Sequence, residues 1–109
     1  MFFSLFNHLD SPNGGETWQR GTTHTIQWHY MGCPGSNVKI ELIRNVAGAL
    51  PITSTIINNT PIGINGNGSY NWPIPANNAT GTNVFKVKVT TDLGYSDTTN
   101  SFFTISATP

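Results

Sequence analysis

The chain has 109 residues, with five Lys or Arg against five Asp or Glu, and only 9% of it is charged, where an average soluble domain carries about 25%. Zero net charge leaves no electrostatic footprint for nucleic acid or an anionic membrane surface, and an apolar share of 37% is too high, at so little net charge, for simple disorder. A length of about 100 residues makes one domain, and a single cysteine builds neither an internal disulfide nor a zinc site.

The opening stretch Met1–Leu9, MFFSLFNHL, lacks the basic start of a secretory signal, and Asn7 and His8 break its apolar run. Neither it nor any later segment approaches the ~20 apolar residues that span a bilayer, so no membrane insertion is expected. Phe2–Phe6 reads as a short strand, and residues 1–9 are set apart as an N-terminal segment from a domain over 10–109. Thr17–Gln19 is a second short candidate. Alternation with period two then marks Thr22–Tyr30, with His24, Ile26, Trp28 and Tyr30 on one face, and Asn37–Ile43, with Val38, Ile40 and Leu42. Pro51–Ile57 and Ser69–Ile74 are shorter candidates. Val84–Thr91 sets Phe85, Val87 and Val89 against Lys86, Lys88 and Thr90, and Ser101–Ser106 sets Phe103 and Ile105 against Phe102 and Thr104. Each alternating run predicts a half-buried strand, and no window carries a helical period.

Turn-forming clusters separate these runs at Ser11–Gly15, Gly32–Gly35, Asn45–Gly48, Asn65–Gly68, Pro75–Gly81 and Asp92–Gly94. Gly supplies positive φ, Pro presets φ, and Asn or Asp bonds its own backbone. Seven or eight short strands at this spacing predict an all-β fold, an antiparallel β-sandwich without a disulfide. The expected core anchors are Trp18, Ile26, Trp28, Trp72, Phe85 and Phe103, because large rings bury the most area each. The uncharged stretch Asn58–Ser69 reads as a long loop, either a hairpin tip or a disordered crossover.

The runs Ser11-Pro-Asn-Gly-Gly-Glu-Thr-Trp18, Arg20-Gly-Thr-Thr-His-Thr-Ile-Gln-Trp28 and Gly35-Ser-Asn-Val-Lys-Ile-Glu-Leu42 are followed by Gly68-Ser-Tyr-Asn-Trp72 with Ile74 and Pro75. Phe85–Thr90, Tyr95–Asp97 and Phe103–Ile105 complete the series. In this order, over residues 10–106, they resemble the Ser/Thr-rich glycosylphosphatidylinositol-anchored membrane family domain, also the Ig-like N-terminal module of fungal cell-wall glucan-assembly proteins. The resemblance implies a non-catalytic, immunoglobulin-like sandwich in a surface protein of a fungus, bacterium or archaeon, with no catalytic residues to carry over. Within it, Pro12, Gly14 and Gly15 predict a tight reversal between two parts of a first strand. Pro73 confines its strand to an edge or a strand end. The first strand departs from the family: it is aromatic-rich where the family alternates aliphatic residues.

No reactive constellation emerges from the rest of the chain. Asp10, Glu16, Glu41, Asp92 and Asp97 do not pair at the spacing of a glycosidase acid pair. Asp92 and Asp97 flank one turn and, with Glu16, are a candidate calcium set; the competing reading makes them turn caps. His24 and His29 fall on opposite strand faces and cannot share a metal, and the parity of His24 predicts partial burial. Cys33 is either a reactive or crosslinking thiol or a chance loop residue. Neither a nucleophile elbow nor a phosphate loop is present, so no enzyme and no cofactor are expected. The sequons at Asn58, Asn67 and Asn78 are candidate glycosylation sites or solvated asparagines.

The functional expectation is a structural module of an extracellular or cell-surface protein. With 15 Thr, 13 Asn and 8 Ser, its surface matches the composition common there. Low net charge favours association, so the partners expected are like modules or further copies, in a filament or surface array. Phe2, Phe3, Leu5 and Phe6 are the candidate assembly segment; it either pairs at home as a first strand or inserts into a neighbour's sheet. The alternative is a carbohydrate-binding module with some of Trp18, Trp28, Trp72, Tyr30, Tyr70 or Tyr95 exposed as stacking platforms. A third option is an accessory domain of a larger enzyme.

Overall fold

The computed structural model describes residues 6–32 and 34–107. Nine strands run through them: β1 (Phe6–Ser11), β2 (Thr17–Gln19), β3 (Thr23–Met31), β4 (Asn37–Arg44), β5 (Ile52–Pro61), β6 (Asn67–Pro73), β7 (Gly81–Thr91), β8 (Ser96–Thr98) and β9 (Phe103–Ser106). One sheet has the order β1-β3-β6; the other has β2-β9-β7-β4-β5, with β8 also paired to β7. Stacked on one core, the two sheets form an immunoglobulin-like β-sandwich.

Period-two alternation makes the core. On β3, Ile26 and Trp28 are buried while Gln27 is exposed; on β4, Val38, Ile40 and Leu42 point inward; on β7, Phe85, Val87 and Val89 do. Trp18, Trp72, Phe103 and Ile105 are buried with them, each such side chain contributing about 1.5–3 kcal/mol relative to exposure. The rings interlock: Trp18 lies 5.4 Å from Phe103 and edge-on to Trp72, and Phe103 lies 6.0 Å from Phe85. Opposite Trp28 stands Gly68, where any Cβ would run into the indole and the Ile62 carbonyl.

The first strand is split between the layers. β1 pairs antiparallel with β3, whereas β2 pairs parallel with β9. The bend at Pro12–Gly15 therefore carries the chain from one sheet to the other, rather than folding it back as the Pro and Gly residues suggest, and it adds one parallel pair to an otherwise antiparallel sandwich. Gly14 sits against Ser101 at φ 131°, and the Glu16 carboxylate accepts from Asn13 N and Gly14 N. β1 pairs at home from Phe6 and runs across the 9/10 division. Phe2, Phe3, Leu5 and Cys33 lie outside the described residues.

Two segments differ from the sequence expectation. Asn58–Ser69 is not a long loop: β5 reaches Pro61 and β6 begins at Asn67. The connection 62–66 closes on Asn65 and Gly66, both at positive φ, with Ile64 and Asn67 exchanging backbone bonds of 3.0 and 3.1 Å, as a two-residue hairpin turn requires. Polar Asn58 and Asn59 continue the strand because an edge strand leaves their side chains in water, and Thr60 is half-buried. The other segment is β8, whose Ser-Asp-Thr composition hides it. It is followed by the buried Thr99, whose hydroxyl accepts from Val87 N at 2.8 Å and donates to Val87 O at 3.1 Å.

The molecule measures 51 × 29 × 22 Å, and its strands lie along the long axis; β7 alone spans about 36 Å at ~3.3 Å per residue. Register places the connections 32–36, 62–66 and 92–95, with the start of β1, at one end. The connections 20–22, 45–51 and 74–80, with the close of β9, lie at the other.

Candidate functional site

The aromatic residues that would serve as sugar platforms are mostly committed to the interior. All three tryptophans are buried. Trp28 donates its indole N–H to Ile62 O at 2.8 Å, and Trp18 stacks face to face on the half-buried His24 at 4.7 Å. Tyr30 and Tyr70 pack against the core, which leaves Tyr95 as the one exposed ring among these six.

Glu16, Asp92 and Asp97 do not converge. Glu16 holds the β1–β2 bend, Asp92 accepts from Ser36 N at 2.9 Å, and Asp97 accepts from Leu9 N at 2.7 Å. Each satisfies a backbone donor in a different place; Glu16 caps its own bend, whereas Asp92 and Asp97 tie down distant segments rather than cap the turn between them. A polar cluster not anticipated in the sequence lies on the outer face of β1 and β3. There Asp10 meets His29 at 2.8 Å, His8 approaches Asp97 at 3.5 Å, and the two imidazoles lie 4.8 Å apart. Parity puts His8 and Asp10 on one face of β1 and His29 outward on β3, but it takes the β1–β3 register to join them. No group of three or more His, Cys, Asp or Glu among the described residues is arranged to hold a metal ion.

Three surface features remain. The first is the segregation of exposed apolar side chains to the two ends. Ile64 (78% exposed), Leu93 (66%) and Met31 stand at the end where β1 starts, whereas Leu50 (86%) and Ile52 stand at the other. Single exposed apolar residues are ordinary on protein surfaces; their collection at the ends of an elongated body is not. Charge does not divide in this way: Lys39 and Asp92 stand together at the first end, and Arg44 at the second.

The second feature is the open side of the sandwich between β5 and β6. Two adjoining hollows of about 150 and 140 Å³ share Leu42, Ser54 and Asn78, and between them they reach Ile56, Tyr70 and Trp72 on one side and Arg44 and Ile52 on the other. The third is a cleft of about 620 Å³ beside the 62–66 turn, where Asp10, Gln27, Thr60, Asn67 and Ser69 meet the apolar Ile64. Of the sequon asparagines, Asn58 and Asn67 are exposed on strands, and Asn78 is half-buried with its amide bonded to Ala79 O.

The fold defines an immunoglobulin-like module, and among the described residues no group of His, Cys, Asp or Glu is gathered to hold a metal ion. A family model described as Kre9/KNH-like N-terminal Ig-like domain matches residues 11–105, and the chain belongs to that family. Its members are cell-wall-associated domains of secreted proteins and, as Ig-like domains, are generally non-catalytic. No curated protein matches the chain.

Proposed function

We propose that this chain is a non-catalytic structural module of a cell-surface or extracellular protein that assembles end to end with like modules into a filament or surface array. The observation that carries this reading is the placement of its large exposed apolar side chains, Met31, Ile64 and Leu93 at one end and Leu50 and Ile52 at the other. Two different surfaces that meet head to tail give a heterologous contact, which leaves the assembly open to growth. The neutral chain adds little repulsion between copies.

Magnitudes set the strength of the contact. An end face of 29 × 22 Å offers roughly 600 Å² per partner, below the ~800 Å² of a standard stable interface. A single contact is therefore weak, and assembly belongs to the high local concentration of a surface or a tandem array. The test is the double variant Ile64→Glu with Leu93→Glu, compared with the unaltered chain by sedimentation velocity at rising concentration. Loss of the larger species at unchanged fold supports the reading; retention of them excludes these ends as the contact.

A second reading, carbohydrate binding, has the cleft beside Ile64 in its favour, where polar side chains border an apolar wall. Uncharged amide and hydroxyl side chains such as Gln27, Asn67, Ser69 and Thr60 suit the hydroxyls of a sugar. It predicts saturable retardation of the chain by cell-wall polysaccharide in affinity electrophoresis, and loss of that retardation in Gln27→Ala with Asn67→Ala. Migration that polysaccharide leaves unchanged excludes it.

A further inference from the structure

We propose that the groove between β5 and β6 receives the apolar N-terminal segment, residues 1–5, of a second copy, which adds a strand beside β6. This rests on the assembly reading above and names the site at which one copy holds the next.

The groove lies where the edges of the two sheets part. One sheet has three strands against six in the other, and among the described residues no strand pairs with the outer edge of β6. β6 pairs with β3 from Asn67 to Pro73 without a register shift; between Asn67, whose N–H and C=O are taken by Ile64, and Pro73, which has no N–H, its outer edge offers the backbone groups of Ser69 and Asn71. β5 across the gap is guarded: its pairing with β4 shifts register on both sides of Ile40, and bulges of this kind discourage strand addition. An incoming strand therefore finds its partner in β6 and its apolar floor in Leu42, Ile56, Tyr70 and Trp72.

The occupant follows from chemistry and from reach. Residues 1–5, Met-Phe-Phe-Ser-Leu, carry no charged side chain, and Phe3 and Leu5 fall on one face of an extended strand. The hollow beside Tyr70 and Trp72 is likewise uncharged, with Arg44 only in the adjoining one. The segment cannot fill the groove of its own chain. β1 starts opposite Met31, whereas Tyr70 and Trp72 stand opposite Ile26 and His24. These lie about 17 and 23 Å further along β3 and two strand spacings, ~10 Å, to the side. Five residues reach at most ~17 Å. Donor and receptor also sit towards opposite ends of the long axis, so each copy reaches the next one in the row, and the contact does not close on itself.

The experiment uses the whole chain, a chain lacking residues 1–5, and the variant Ser54→Glu, which sets a carboxylate in the part shared by both hollows. Sedimentation velocity follows assembly, with far-UV circular dichroism and tryptophan emission to verify folding; Thr55→Lys replaces Ser54→Glu if that variant fails to fold. The expected result is multimers from the whole chain, monomers from each altered chain alone, and one-to-one dimers when the two are mixed. That mixture pairs the intact segment of one with the intact groove of the other. The inference is overturned if the shortened chain assembles like the whole one, or if the mixture stays monomeric. A whole chain that is monomeric at every concentration overturns the assembly reading together with it.

Discussion

The indole N–H of Trp28 donates to the carbonyl of Ile62 at 2.8 Å, in a buried bond between residues 34 positions apart. It ties the central strand of the three-stranded sheet to the connection that leads from β5 into β6. That connection also carries Ile64 at the end of the molecule, so one side chain links the core to the proposed contact surface.

Replacing Trp28 by Phe removes this donor and leaves the Ile62 carbonyl unpaired in the interior. The expected loss is about 1–3 kcal/mol for the unsatisfied carbonyl alone, with more from the volume removed. Urea unfolding measures it as a lower midpoint at unchanged slope.

Gly68 faces the same indole, and its missing Cβ is what lets Trp28 close against Ile62. Gly68→Ala overpacks this point and is expected to cost about 1–3 kcal/mol. Ser69→Ala, on the exposed side of the same strand, is the control and stays within about 0.5 kcal/mol. Paired urea curves separate the two.

Asp97 anchors β1 to β8 through Leu9 N. Asp97→Ala leaves this donor unpaired and is expected to destabilise by about 1–2 kcal/mol, whereas Asp97→Asn keeps an acceptor oxygen and loses less. Amide hydrogen exchange at Leu9 should rise in the alanine variant first. Equal losses in the two variants would assign the effect to charge instead.

The three buried indoles predict a blue-shifted tryptophan emission in the native chain. Assembly through the ends or through the β5–β6 groove leaves Trp18 and Trp28 covered as before, so the emission changes little on raising the concentration. A red-shifted native spectrum would contradict their burial.

Much of the sandwich was legible because alternation reports burial directly. The inward faces of β3, β4 and β7 follow from Ile26 and Trp28, Val38 to Leu42, and Phe85 to Val89. β8 was not, since Ser96, Asp97 and Thr98 carry no apolar signal and their strand exists only by pairing with β7. The layer switch at Pro12–Gly15 was hidden for a related reason: turn residues announce a bend, but not which sheet receives the chain after it. Asn58–Pro61 escaped because solvent-facing edge residues need not alternate. The end surfaces are legible only in three dimensions. Met31 closes β3, and Ile64 and Leu93 stand in two later connections; no spacing along the chain joins them. The polar cluster of His8, Asp10 and His29 needed the β1–β3 register, which parity on either strand alone does not supply.

The most direct test of end-to-end assembly is the sedimentation velocity of the unaltered chain over a wide range of concentration. The expected result is a weight-average sedimentation coefficient that climbs continuously without a plateau at dimer, as an open head-to-tail contact requires. A coefficient fixed at the monomer value throughout, or one that saturates at a closed dimer, would contradict it.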